Sequence, residues 1–340
     1  MLPRMKVPSK DRTSGPEILT LFERAVNRLH LPYPLVCLPL AITLGYTSSN
    51  FGESPLSWTL WVLLGFYMLY AIRHIRLKVV AAESALLPLC PQGEETFHRA
   101  FGNLSRPVLQ ALFMTTMLPI TTFYFYRLFR FDGLFHLALA LATIIIFSIA
   151  WGSVFWEYCS SIVGLHKLGR EPLRLKSYHE DVALGLRPLG SLSFQLTFVY
   201  LSIIGLGSVA TSFFADLFNI VALVIFAVLG AVLFFLPLNN VHRIMSEAKY
   251  REQEVIRGRQ TNRSEHYAPF ALEGRSPTLE EMGNFLADLR SLLTLDIDER
   301  KLSSVPTWPL ESRILRQLTL TLMSVMGIIT GRIIILALHL

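Results

Sequence analysis

LFNIVALVIFAVLGAVLFFLPL, residues Leu217 to Leu238, carries no charged side chain in 22 positions, and 16 of them are Leu, Ile, Val or Phe. A surface helix of a soluble domain has one apolar face and one polar face, whereas this stretch is apolar all round. Insertion of such residues into a bilayer is worth about −0.3 to −0.6 kcal/mol each, which totals about −5 to −10 kcal/mol here. That is an upper bound, because residues far from the helix centre count for less, yet half of it still favours spanning.

A spanning helix needs about 20 predominantly apolar residues. Working outward from 217–238, the segments 33–49, 56–72, 109–126, 134–156 and 191–213 also qualify, and 317–340 is long enough but contains Arg332. Composition agrees: 52% of the 340 residues are hydrophobic, only 16% are charged, and the mean hydropathy is +0.46, against about a quarter charged in ordinary soluble domains. The fold class expected is all-α, a polytopic integral membrane helical bundle with six or seven transmembrane helices and additional cytoplasmic helices. The expected organisation is an N-terminal amphipathic segment over 1–32, a transmembrane bundle over 33–238, a cytoplasmic helical segment over 239–316 and a final span over 317–340.

The net charge of +6 is distributed in a way that orients the chain rather than pointing to nucleic acid. With seven spans and the N-terminus inside, the segments 1–32, 73–108, 157–190 and 239–316 share one side and hold 28 of the 31 Lys and Arg residues. Only Arg127, Arg130 and Arg332 fall elsewhere. The positive-inside rule therefore predicts a multi-pass protein of the cell membrane with a cytoplasmic N-terminus. The outer loops, Thr47 to Pro55, Arg127 to Gly133 and the turn at Asp216, are too short for an ectodomain. The first 30 residues are polar and charged, so no cleavable signal peptide is expected.

The cytoplasmic parts have readable helices. Ser14-Gly15-Pro16-Glu17 resembles a helix start, and Ile18, Phe22, Ala25 and Leu29 follow at helical spacing, fitting either an interfacial helix or one packed on the protein. Residues 239–259 read as a helix leaving the membrane, with a thin seam of Val241, Met245, Ala248 and Val255. Gln260 to Gly274 is polar and aperiodic and reads as a loop. Beyond it, Leu279, Met282, Leu286, Leu289 and Leu293 form an apolar stripe that must pack on something.

Cys37, Cys90 and Cys159 match no CxxC or zinc spacing, and HExxH, GxxxxGK[ST], GxSxG and a GxGxxG opening a βαβ unit are all absent. No catalytic residue, cofactor or metal site is predicted, and an enzyme is the less favoured class. His179-Glu180-Asp181 reads as a solvated loop, since three successive helical residues cannot face one site. Arg187, in a Gly- and Pro-containing turn, is the candidate headgroup contact. Glu157 is placed at the inner interface, where Trp151, Trp156 and Tyr158 resemble an aromatic belt.

The candidate polar path consists of Thr115, Thr122, Gln195, Ser202 and Arg332. Pro119 frees a carbonyl in the third span, so the neighbouring threonines either re-satisfy backbone groups or line a pore. Arg332, about 22 Å into a core about 30 Å thick, snorkels to the outer headgroups, pairs inside the bundle, lines a polar path, or belongs to a half-buried helix that never crosses. Ser324, Gly327 and Gly331 share one helix face, with GxxxG spacing between the glycines, and are the candidate packing surface within the bundle or between copies. The partners expected are the lipid bilayer and a second copy of the chain, with no nucleic acid. Three function classes stay open: a channel or passive conduit, a membrane scaffold or signal relay acting through its cytoplasmic helices, and a lipid-acting membrane enzyme.

Overall fold

The computed structural model describes residues 19–49, 55–126, 133–176, 180–181, 183–211, 217–272, 279–304 and 312–339. Among them the regular structure is helical, with no strand. In chain order the helices are α1 (Leu21–Arg28), α2 (Tyr33–Ser49), α3 (Pro55–Leu86), α4 (Glu94–Phe101), α5 (Pro107–Tyr126), α6 (Leu134–Leu168), α7 (Arg187–Ala210), α8 (Leu217–Leu272), α9 (Leu279–Ser304) and α10 (Ser312–His339), with short 3-10 turns after α3 and α4. Six helical stretches, from α3, α4–α5, α6, α7, α8 and α10, are long and apolar enough to cross a membrane. The chain is an all-α polytopic membrane protein. The segment 33–49 folds as α2 but is only 17 residues long and meets α1 at a bend of 109°.

The chain forms two compact units. The first holds residues 1–77 and 102–160, and the second holds 78–101 and 161–340. In the first unit, small residues let helices close. A Cβ on Gly65 would come within 2.8 Å of Leu44, one on Gly45 within 2.1 Å of Val62, and one on Gly152 within 3.1 Å of the Met114 backbone. Trp61 packs against Phe125 and Phe147, and the Thr121 and Ser148 hydroxyls bond to each other between α5 and α6.

In the second unit, Gly230 of α8 leaves room for the Tyr200 ring of α7, whose hydroxyl donates to the Phe226 carbonyl at 3.1 Å. The Phe101 ring of α4 lies where a side chain on Gly164 of α6 would stand. Asn240 donates to the His166 carbonyl at 3.2 Å, tying α8 to the end of α6. Helix α10 packs on α7 and α8, burying Leu318, Val325, Ile329 and Arg332.

Helix α8 is 56 residues long, about 84 Å at 1.5 Å per residue. Its part beyond Leu238 leaves the apolar segment without a break and buries Val241, Met245 and Ile256. Val255, expected in that seam, is 47% exposed instead. The loop expected at 260–274 is corrected over its described part: 260–272 continues α8. Polar sequence lacking a period carries no helical signal, but a helix already nucleated by a packed segment propagates through it by one hydrogen bond per residue.

Candidate functional sites

The first site begins at Thr20, which caps α1. Its hydroxyl accepts from the Glu23 amide at 3.1 Å while the Glu23 carboxylate accepts from the Thr20 amide at 3.3 Å. This reciprocal capping box satisfies two orphan donors and fixes the Glu23 side chain. The same carboxylate then takes Arg76 Nε of α3, at 2.9 Å to Oε1 and 2.7 Å to Oε2. Glu23 is 3% exposed, so the pair is shielded from solvent. Gln110 of α5 accepts from the Leu21 amide at 2.8 Å, and Arg24 donates to the Ser105 carbonyl at 3.2 Å. These contacts dock α1 on the protein through polar groups. The helix start expected at Ser14 to Glu17 lies outside the described residues.

Glu157 of α6 joins this cluster. It is completely buried, and neither carboxyl oxygen has a hydrogen-bond partner among the described residues. The charges of Glu23 and Arg76 both act on it. One turn earlier, the buried Ser153 hydroxyl is also unpartnered among the described residues. The solvation expected for Glu157 at the end of its span is corrected: the carboxyl group is enclosed by protein. Its aromatic neighbours in sequence signalled a belt, and Tyr158 is itself fully buried.

The second site is Arg332. Its guanidinium donates to the Thr211 carbonyl at 2.6 Å, to the Thr211 hydroxyl at 2.9 Å and to the Ser208 carbonyl at 3.5 Å. Carbonyls of a last helical turn lack intrahelical donors and carry the negative end of the macrodipole. Arg332 is 7% exposed and serves as a cationic cap on the C-terminus of α7. The guanidinium is thus partnered within the fold.

The other expected path residues are placed as follows. Thr115 and Thr122 are exposed on α5 and donate to Ala111 and Leu118 carbonyls of their own helix, at 2.5 and 2.7 Å. Ser202 donates to the Phe198 carbonyl at 2.7 Å. Gln195 donates to Ser191 at 3.2 Å and lines a cavity near the start of α7. Sixteen residues of helix-length chain, about 24 Å, separate Gln195 from the Thr211 end of α7 where Arg332 sits. Arg187 pairs with Asp181 at 3.5 Å. Asp181 also accepts from the Ala183 and Gly185 amides at 3.0 and 3.1 Å, building a turn in which Leu184 and Gly185 adopt positive φ of 55° and 83°. His179 lies outside the described residues.

The third site is the far end of the α8–α9 pair. Lys249 donates to the Ser303 carbonyl at 2.7 Å, Arg257 bonds Glu299 at 3.1 Å and Gln260 reaches the same carboxylate at 3.3 Å, while Leu302 is buried. Further along α9, Leu286, Leu293 and Ile297 are 58%, 57% and 49% exposed. The stripe expected to pack is therefore open at these positions. Ser324 and Gly327 on α10 are exposed, and nothing lies within 4 Å of a Cβ built on Gly327 or Gly331. The packing face of α10 within this chain is the one bearing Val325 and Ile329, which corrects the expectation for the small residues inside the bundle.

Two of these features had readable signals. Thr20-x-x-Glu23 is a capping-box pattern, and Arg332 is an ionisable residue in an apolar run. No group of three or more His, Cys, Asp or Glu that could hold a metal is present among the described residues. No family model, curated protein or solved structure matches the chain.

Proposed function

We propose that the protein is a membrane scaffold or signal-relay protein that acts on the cytoplasmic side through the α8–α9 hairpin. One observation carries the reading: α8 runs from an apolar segment into a polar rod, and the helix paired with it leaves Leu286 and Leu293 open. Leu279, Met282, Leu286, Leu289 and Leu293 step by 3, 4, 3 and 4, the a/d spacing with which one helix seats another. The occupant we assign is α9 of a second copy, because a self-complementary seam pairs about a two-fold axis without any further component.

The conduit reading lacks comparable support. The hydroxyls of Thr115, Thr122 and Ser202 return to their own helices, and Arg332 is committed to the end of α7. Light scattering of the detergent-purified protein tests the reading. The wild type is expected to be a dimer, and Leu286→Asp combined with Leu293→Asp a monomer with unchanged helicity and melting temperature. A wild-type monomer would remove the second copy as occupant. A double variant that unfolds would instead make the stripe part of the protein's own core.

A further inference from the structure

The cavity beside Gln195 has a volume of about 310 Å³ and is lined by Lys78, Ala81 and Ala82 from the end of α3 and by Pro188, Ser191, Leu192 and Gln195 from the start of α7. All of these residues belong to the second unit. Its size falls at the lower end of small-molecule sites, about 300–1,000 Å³. Among the lining residues there is one cation and no acid. Lys78 is half-buried, and no carboxylate pairs with it among the described residues. Ser191 accepts from the Gln195 amide at 3.2 Å, which leaves its own hydroxyl hydrogen for a guest. The remaining walls are small or apolar.

We infer that this cavity binds a phosphate-bearing anion, with Lys78 and the Ser191 hydroxyl on the phosphate and the Leu192 wall against an apolar extension. A lysine supplies a flexible point charge with up to three donors, which suits a phosphate whose position along the groove varies. The placement explains why an amphiphile fits. Lys78 follows the apolar run of α3 by less than two turns, alongside Arg73 and Arg76, and Gln195 lies two turns into α7. Along α7 the lining passes from Pro188 at the polar boundary to Gln195 at apolar depth, as a phospholipid headgroup does where it joins its acyl chains, while on α3 Ala81 and Ala82 lie beyond Lys78 on the polar side. Basic residues at such a boundary attract anionic lipids. Arg187, the contact expected from sequence, is held by Asp181, so Lys78 is the cation available to the guest.

Thermal unfolding of the full chain in a neutral detergent, titrated with short-chain phosphatidylglycerol, short-chain phosphatidylcholine or inorganic phosphate, tests the inference. A ligand that binds only the folded state raises the melting temperature with its concentration. Phosphatidylglycerol is expected to stabilise the wild type at concentrations where phosphatidylcholine does not. Lys78→Gln should weaken the response about tenfold, the loss expected when one charge-assisted hydrogen bond is removed. Ala82→Phe, which fills the cavity and leaves the charge, should abolish it, and Arg99→Gln, an exposed cation outside the cavity, should retain it. An undiminished response in both Lys78→Gln and Ala82→Phe overturns the site. An equal response to phosphatidylcholine overturns anion recognition, and an equal response to inorganic phosphate assigns the cavity to a soluble phosphate and overturns the lipid as its source.

Discussion

Glu23 and Glu157 are both acidic, both buried and both close enough to Arg76 to feel its charge, yet their roles in stability have opposite expected signs. Glu23 holds Arg76 through both carboxylate oxygens and closes the cap of α1. Breaking a buried pair by removing one partner costs about 3–5 kcal/mol, and the partial exposure of Arg76, 15%, places Glu23→Gln at the lower end of that range. Glu157 has no hydrogen bond to lose among the described residues, so Glu157→Gln keeps the shape and removes an ionisable group from a buried position, and its expected effect is neutral or stabilising. Denaturant unfolding of the two variants decides between them, and destabilisation by Glu157→Gln equal to that of Glu23→Gln would mean that its carboxylate is a working member of the ion pair. Arg332 makes a parallel case at the end of α7. Arg332→Leu leaves the Thr211 carbonyl without its donor, and a hydrogen bond to a charged group is worth about 1.5–3 kcal/mol, so the same measurement should show a loss of about that size. No loss would mean that water replaces the guanidinium and that the site is open to solvent.

Helix α10 carries two faces of opposite character, and each can be substituted separately. Ile329 is 1% exposed against its neighbours, so Ile329→Ala leaves a cavity. Such changes cost about 2–5 kcal/mol, with the lower end expected here because lipid is as apolar as isoleucine. Gly327 meets nothing within 4 Å, and replacing an exposed helical glycine by alanine gains up to about 1 kcal/mol of helix propensity. Melting temperatures should therefore fall for Ile329→Ala and hold or rise for Gly327→Ala; the reverse order would make the small-residue face a contact between copies. Periodicity reveals that α10 has a small-residue face but not whether a neighbour occupies it, since the partner residues lie on α7 and α8, about 100 positions away in sequence. The same limit applies to Glu157. An acidic residue among tryptophans at the end of an apolar run reads alike at a lipid interface and inside a fold, and the charges nearest to it belong to residues as distant as Glu23 and Arg76. By contrast, the apolar runs of α3, α5, α6, α7, α8 and α10 and the helix emerging from α8 were legible, because they rest on local composition. Arg332 lies between these cases: its presence in an apolar run is evident, and its anchorage to Thr211 is a tertiary fact.

At the scale of the whole chain, whether α2 crosses the membrane decides the side on which the N-terminus lies. Its 17 residues reach about 25 Å, somewhat less than the hydrocarbon core of about 30 Å. Its neighbours lie along the apolar part of α3. The Tyr33 hydroxyl donates to the Leu69 carbonyl at 2.6 Å, four residues before Arg73, whose guanidinium lies 5.3 Å from the Tyr33 ring. Ala41 and Leu44 meet Gly65, and Gly45 meets Val62 and Trp58. Helix α2 therefore runs antiparallel beside α3 over its stretch from Trp58 to Arg73. Helix α1, which precedes it, is fastened to Arg76, Ser105 and Gln110, all at that basic end. With α2 counted as a span, 28 of 31 Lys and Arg residues share a side; without it, the six at the N-terminus move away from the other basic segments. A membrane-impermeant maleimide applied to intact cells should accordingly label Ser49→Cys and Asp216→Cys and spare Ser9→Cys and Arg259→Cys until the membrane is permeabilised. Cys37 and Cys90 are buried and Cys159 is partly so, so the native thiols contribute little background. Protection of Arg259→Cys together with labelling of Ser9→Cys would show that α2 turns back within the membrane, and α1 would then be parted from Arg76 at the inner end of α3, so that the Glu23–Arg76 pair could not form.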